Sequence, residues 1–215
     1  MAVIGVFDSG VGGQSVANAL KAAYPDDTII FVNDHEHMPY GDKKPAEVLD
    51  LVIPKMYELI SKGSDVIVIA CNTVTTNHIT ELRERFSLPI IGVEPMVEQA
   101  AALTQQGTFA VCATPSTLAS DRYKDLKNHY AWQKHVIEPD CSQWAYMIEN
   151  NQVNQSMIRE QVGDMCQQGA DVIVLGCTHY HWIEDIIKDA ANGRAQILQP
   201  EQTVITKVAK ALSRS

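Results

Sequence analysis

Two cysteines, Cys71 and Cys177, close nearly identical apolar runs at an offset of 106 residues. The first run extends from Gly63 through Asp65-Val66-Ile67-Val68-Ile69-Ala70 to Cys71, and the second from Gly169 through Asp171-Val172-Ile173-Val174-Leu175-Gly176 to Cys177. Six of the nine positions are identical, which marks an internal repeat. One such cysteine alone reads as a small apolar residue ending a strand. The paired occurrence points instead to two equivalent lobes, each presenting a thiol to a shared cleft. A free thiol has a pKa near 8.5, and a helix N-terminus favours the thiolate. Two thiols on opposite sides of a substrate can therefore take a proton from one face of a carbon and return one to the other. The residues that follow, Asn72-Thr73 and Thr178-His179, supply hydrogen-bonding groups beside each thiol, and His179 reads either as an acid–base group that tunes Cys177 or as a satisfied loop histidine.

Other segments offer binding chemistry. Asp8-Ser9-Gly10-Val11-Gly12-Gly13 leaves an apolar strand and enters a helix, and free N–H groups at such a helix start suit a carboxylate or phosphate. Its glycine order, G-x-G-G, is not that of the dinucleotide fingerprint. Met38-Pro39-Tyr40-Gly41 reads as a rigid turn. The histidine pairs of His35-Glu36-His37 and His179-Tyr180-His181 lack a defined third ligand, so no metal is expected. No lysine stands in a Schiff-base context, so these residues give no support to a pyridoxal enzyme.

The elements that position these residues follow an α/β pattern. Apolar strands are expected at 3–7, 28–32, 65–70, 90–93, 108–113, 135–138, 171–175 and 196–198. Helices are expected at 14–23, 46–62, 76–86, 97–106, 116–128, 143–149, 155–168, 182–191 and 201–213. Val/Ile runs that do not alternate with polar residues fit parallel strands buried on both faces. Alternation of strand and helix implies βαβ units with right-handed crossovers. The segment 3–9 has a counterpart at 108–116, so each lobe opens with a strand, a polar loop and a helix and later presents its cysteine. Ligands bind outside the carboxyl ends of strands in such sheets. The reading is thus two pseudosymmetric lobes with mainly parallel sheets: 1–94 plus 203–215 carrying Cys71, and 95–202 carrying Cys177.

Composition narrows the class. The chain has 215 residues, 46% of them hydrophobic, and a net charge of −9, which argues against nucleic acid. No apolar run approaches the 18 residues of a membrane span. Met1-Ala2 leads directly into an apolar strand with no secretion signal, so a cytoplasmic protein is expected. Five cysteines without a C-x-x-C pair read as reduced thiols, with Cys112 and Cys166 as packing residues.

Together these residues resemble the glutamate racemase family, within the aspartate/glutamate racemase superfamily. The match runs in order through Asp8-Ser9-Gly10-x-Gly12-Gly13, Pro39-Tyr40-Gly41, Cys71-Asn72-Thr73, Gly92-Val93-x-Pro95, Thr114-x-x-Thr117-x-x-Ser120-x-x-Tyr123 and Gly176-Cys177-Thr178-His179-Tyr180. The resemblance implies cofactor-independent racemisation, with Cys71 and Cys177 as the two bases, Asp8 assisting one and His179, with Glu149, the other. It implies that Asp8, Ser9, Pro39, Tyr40, Gly41, Asn72, Thr73, Thr114, Thr117, Thr178 and His179 hold a small amino acid, with glutamate favoured. It is compatible with a homodimer, although no interface stripe stands out in the sequence. The chain departs from the family pattern at Val74, Ser142 and His181. These departures leave aspartate or another amino acid as alternative substrates, and a silent amino-acid binder as the rival class.

Overall fold

The computed structural model describes residues 1–213; residues 214 and 215, which end the expected first lobe, lie outside the described residues. The chain divides into two compact units, Met1–Glu94 with the segment from Pro200 onward, and Pro95–Gln199.

The first unit runs β1 (Val3–Asp8), α1 (Gln14–Ala23), β2 (Thr28–Asn33), α2 (Pro45–Ser61), β3 (Val66–Ile69), α3 (Asn72–Arg85) and β4 (Ile90–Gly92), with two 3-10 turns, His35–His37 and Tyr40–Asp42, between β2 and α2. The second runs α4 (Val97–Leu103), β5 (Thr108–Ala113), α5 (Pro115–Ala119), α6 (Asp121–Tyr130), β6 (His135–Ile137), α7 (Trp144–Glu149), α8 (Gln155–Gln167), β7 (Val172–Gly176), a 3-10 segment (Thr178–Ile183), α9 (Glu184–Ala191) and β8 (Gln196–Leu198). The chain then returns to the first unit as α10 (Glu201–Ala211), where Val204 and Val208 pack with Val16 and Leu20 of α1. Among the described residues no helix is long and apolar enough to cross a membrane.

Both sheets are parallel and share one topology. The first is ordered β2-β1-β3-β4 and the second β6-β5-β7-β8. The registers also correspond. Gly5 pairs with Ile67 in one sheet and Ala110 with Ile173 in the other. Ser9 of the first unit thereby falls level with Thr114 of the second, and Asp8 with Ala113. The duplication seen in nine residues extends to whole sheets.

Strand burial explains the Val/Ile runs. Alternate residues of β3 face opposite sides, as the pleat requires. Ile67 and Ile69 pack with α2 and α3, while Val66 and Val68 pack with α1 and α10. In β7, Ile173 and Leu175 join Trp144, Ile158 and Val162, whereas Val172 and Val174 join Phe109 and Tyr123. Each fully buried side chain of this size stabilises the fold by about 1.5–3 kcal/mol. Cys71 and Cys177 continue the first of these two faces in each unit.

The polar residues of the repeat have structural work. Gly63 and Gly169 adopt φ of +85° and +93°, a left-handed conformation that glycine tolerates best, and they stop α2 and α8. Asp65 then accepts the Val3 N–H at 2.8 Å. Asp171 accepts the Gln105 and Gln106 N–H groups at 2.7 and 2.8 Å and the Thr104 hydroxyl at 2.6 Å. Burial alone would push the Asp171 carboxyl up, but these donors outweigh it and hold the carboxyl below its ordinary value.

Three helices differ from the pattern read in the sequence. α3 begins at Asn72, directly on Cys71, instead of at residue 76. Its first turns are poor helix formers, yet Asn72, Thr73, Val74, Thr75 and Thr76 are all buried, so packing overrides propensity. The segment expected as one helix over 116–128 is broken at Ser120, whose hydroxyl accepts the Tyr123 N–H and caps α6. The segment expected at 182–191 is a 3-10 segment followed by α9, and the bend starts immediately after Cys177.

Candidate active site

In the first unit, β1 and β3 end side by side, and the loops that leave them bring Ser9 and Cys71 together. Ser9 Oγ lies 3.4 Å from Cys71 Sγ. Cys71 is the N-cap of the 14-residue helix α3, and its carbonyl accepts the Thr75 N–H at 3.0 Å. The helix start presents N–H groups and the positive end of its dipole at this thiol, an arrangement that stabilises negative charge. Asn72 and Thr73 are buried beside it. Among the described residues the Asn72 amide oxygen has no hydrogen-bond partner, which marks a buried acceptor suited to a ligand's donor.

Asp8 ends β1 in full burial. Its carboxylate accepts the Gly10 and Gly13 N–H groups, both at 3.1 Å. The glycine loop is therefore wrapped around this side chain. A Cβ on Gly13 would stand 2.5 Å from Asp8 Cβ, so the approach requires glycine. The Tyr40-Gly41 turn follows a cis Met38–Pro39 bond, and Tyr40 is buried in the same apolar cluster as Phe7, Cys71 and Val74. The Tyr40 hydroxyl donates to Asp34 at 2.6 Å. Its one proton is thus committed to a carboxylate that the sequence reading did not single out. Burial, that hydrogen bond, and the negative charge of Asp34 together push the phenol far above its ordinary range. Val74 lies in this core, fully buried.

In the second unit the equivalent strand end carries a different set of partners. Cys177 Sγ lies 3.6 Å from His179 Nδ1, and His179 Nε2 lies 2.5 Å from Glu149 Oε1. The side chains of His179 and Glu149 are 5% and 4% exposed, so this line of thiol, imidazole and carboxylate is shielded from water. Glu149 arrives at the end of α7, which packs on the 3-10 segment after Cys177. Trp144 and Tyr180 fix that packing, with ring centroids 5.1 Å apart. The Tyr180 hydroxyl also donates to the Cys141 carbonyl at 2.9 Å. Thr178 is buried next to Cys177, and Thr114 caps α5 with its hydroxyl 3.0 Å from that of Thr117.

The structure therefore groups Asp8, Ser9, Tyr40, Cys71, Asn72 and Thr73 at the strand ends of one unit. It groups Thr114, Thr117, Glu149, Cys177, Thr178 and His179 in the other. The two groups differ in a way the repeat conceals: Ala113 stands level with Asp8, and no imidazole follows Cys71 as His179 follows Cys177. Of the histidines considered as metal ligands, His37 and His179 each face a carboxylate, Asp34 and Glu149. Asp34 is the residue that the sequence reading missed. Its only signal there was an acidic side chain at the end of the second strand, six residues before Tyr40.

Duplicated parallel α/β units with a thiol at the same strand end in each define the class of two-unit α/β racemases, which are isomerases. The chain belongs to the Asp/Glu/hydantoin racemase family, whose model matches residues 13–208. It is 36% identical to a glutamate racemase from Methylococcus capsulatus over 97% of this chain and 79% of that protein. It is 34% identical to one from Clostridium perfringens over 100% of this chain and 84% of that protein. Among solved structures, a glutamate racemase isoform from Bacillus anthracis matches with a TM-score of 0.85 and 29% identity, covering 99% of this chain and 82% of that one. The Escherichia coli glutamate racemase in complex with L-glutamate and the activator UDP-MurNAc-ala matches with a TM-score of 0.91 and 25% identity, covering 99% and 82%.

Proposed function

We propose that this protein interconverts L- and D-glutamate without a cofactor and supplies D-glutamate for peptidoglycan in the cytoplasm. The observation that carries the reading is the presence of a buried thiol at the equivalent strand end of each unit, each beside polar groups suited to an amino acid. The likeness to glutamate racemases over nearly the whole chain supports glutamate as the substrate.

In this reading, the thiolate of one cysteine takes the α-proton from one face of the substrate. Negative charge then develops on the substrate carboxylate, where N–H groups and hydroxyls of the loops stabilise it. The thiol of the other cysteine delivers a proton to the opposite face. Proton transfer to and from positioned groups contributes about 10²–10⁴-fold. Asn72 Oδ1, an acceptor with no partner among the described residues, suits the substrate ammonium group, and the start of α3 suits a carboxylate. Exclusion of water strengthens each of these interactions.

The test is α-proton exchange in D₂O, followed by NMR, on both enantiomers of glutamate and a panel of other amino acids. Deuterium entering glutamate, with the opposite enantiomer appearing, is the expected result. Exchange confined to aspartate or another amino acid would keep the mechanism and replace the substrate. Binding without exchange in any of them would overturn the enzyme reading in favour of a silent binder.

A further inference from the structure

The loop between β2 and α2 carries three candidate binding residues, Pro39, Tyr40 and Gly41, and it is tied down at one buried carboxylate. Asp34, the first residue after β2, has a side chain 2% exposed. One of its oxygens accepts the Tyr40 hydroxyl at 2.6 Å. The other lies 2.9 Å from His37 Nδ1 and 3.4 Å from Lys55 Nζ on α2. Its backbone N–H donates to the Asp8 carbonyl at 3.2 Å, continuing the β1–β2 ladder by one step. Asp34 is thus bonded on one side to the residue that organises the glycine loop. On the other it is bonded to the aromatic ring that shares an apolar cluster with Cys71.

We propose that Asp34 is a positioning residue for the Cys71 half of the site: it locks the Tyr40 ring beside Cys71 and sets the 39–41 loop relative to the end of β1. A charge-assisted hydrogen bond to a buried carboxylate is among the stronger ones a side chain makes. Loss of it frees a ring that otherwise has one position. A displacement of about 1 Å in a site of this kind costs roughly 10²-fold in rate. The lysine and histidine are what make the anion tolerable in the core, since a buried charge without partners is costly.

The inference rests on the racemase reading for its kinetic readout, so the test adds one that does not depend on the substrate. Asp34→Ala, Asp34→Asn, Tyr40→Phe and the Asp34→Ala/Tyr40→Phe double variant are compared, all below their unfolding temperatures. The readouts are kcat and KM for glutamate racemisation, and the rate at which Cys71 is alkylated by iodoacetamide, read by peptide mass spectrometry. Asp34→Ala is expected to lower kcat/KM by about 10²-fold and to raise Cys71 alkylation by about 10–100-fold, the population change that accompanies loss of such a bond. Tyr40→Phe breaks the same bond from the other side and is expected to act in the same direction. The double variant is expected to be no worse than the larger single one, because both changes remove one interaction. Asp34→Asn, which keeps an oxygen for the hydroxyl, recovers most of the loss. Unchanged alkylation and kcat/KM, with only a lower melting temperature, would overturn the proposal and leave Asp34 a structural ion-pair partner. If the wild-type protein racemises nothing, the function proposed above fails, and Cys71 alkylation still decides the role of Asp34.

Discussion

Glu149 precedes His179 by 30 residues in the chain, yet its Oε1 lies 2.5 Å from His179 Nε2, while the other nitrogen of that ring lies 3.6 Å from Cys177. The carboxylate fixes the orientation of the imidazole that faces the thiol. Beside Cys71 stand the Ser9 hydroxyl, 3.4 Å from its sulfur, and the start of α3. Two strand ends related by duplication thus support their thiols by different means.

Glu149→Gln keeps the size of the side chain and removes its charge. It is expected to lower kcat/KM by about 10²-fold, the lower end of what a positioned acid–base group contributes. L- and D-glutamate have equal free energies, so kcat/KM falls equally for both. The asymmetry appears in the isotope effect on α-deuterated substrate, which is expected to grow for one enantiomer only. Polarimetric rates with both enantiomers check this.

Cys71→Ser and Cys177→Ser are each expected to reduce racemisation by about 10³-fold, because neither thiol has a substitute of comparable acidity at its strand end. Both variants are expected to fold, since serine is close in volume. Racemisation that survives either change would refute the assignment of that cysteine.

Gly13→Ala places a carbon 2.5 Å from Asp8 Cβ. Overpacking of this kind costs about 1–3 kcal/mol. The melting temperature is expected to fall, and kcat/KM with it, because the atom displaced belongs to a candidate catalytic residue.

Asp34 gives a pH signature. Burial alone would raise its carboxyl, but the Tyr40 hydroxyl, His37 and Lys55 outweigh that and hold it below the ordinary value of 3.8. A carboxyl lowered in the folded state stabilises the protein at every pH above its unfolded value and loses that contribution as pH falls through the folded one. The stability difference between wild type and Asp34→Asn is therefore expected to be smaller below about pH 4 than at pH 5. Denaturant melts across that range measure it.

Gly63→Ala and Gly169→Ala test the duplication. Both positions have left-handed φ, and no atom lies within 4 Å of a Cβ added at Gly63. Each is expected to cost about 1–2 kcal/mol of backbone strain, with kcat unchanged.

The parts of the fold legible in the sequence are those fixed by local pattern. Val66–Ile69 and Val172–Gly176 are buried on both faces, and only continuous apolar runs meet that demand. The start of α3 was hidden because Asn72 to Thr76 read as poor helix formers, and only their burial against the sheet makes them helical. Among site residues, Cys71 and Cys177 announced themselves by repetition. Asp34 did not, because its importance depends on a loop that folds back to bring Tyr40 within 2.6 Å. Ser9 was named as a binding residue, but its proximity to Cys71 depends on two parallel strands ending at the same level.

The central claim is that two thiols act on opposite faces of one carbon. It is tested most directly by incubating protiated L-glutamate with the enzyme in D₂O and sampling both enantiomers early in the reaction. The account predicts D-glutamate that carries deuterium at the α-carbon from its first appearance, while recovered L-glutamate remains protiated. Deuterium entering L-glutamate as fast as D-glutamate forms would mean a single base serving both faces, and would contradict it.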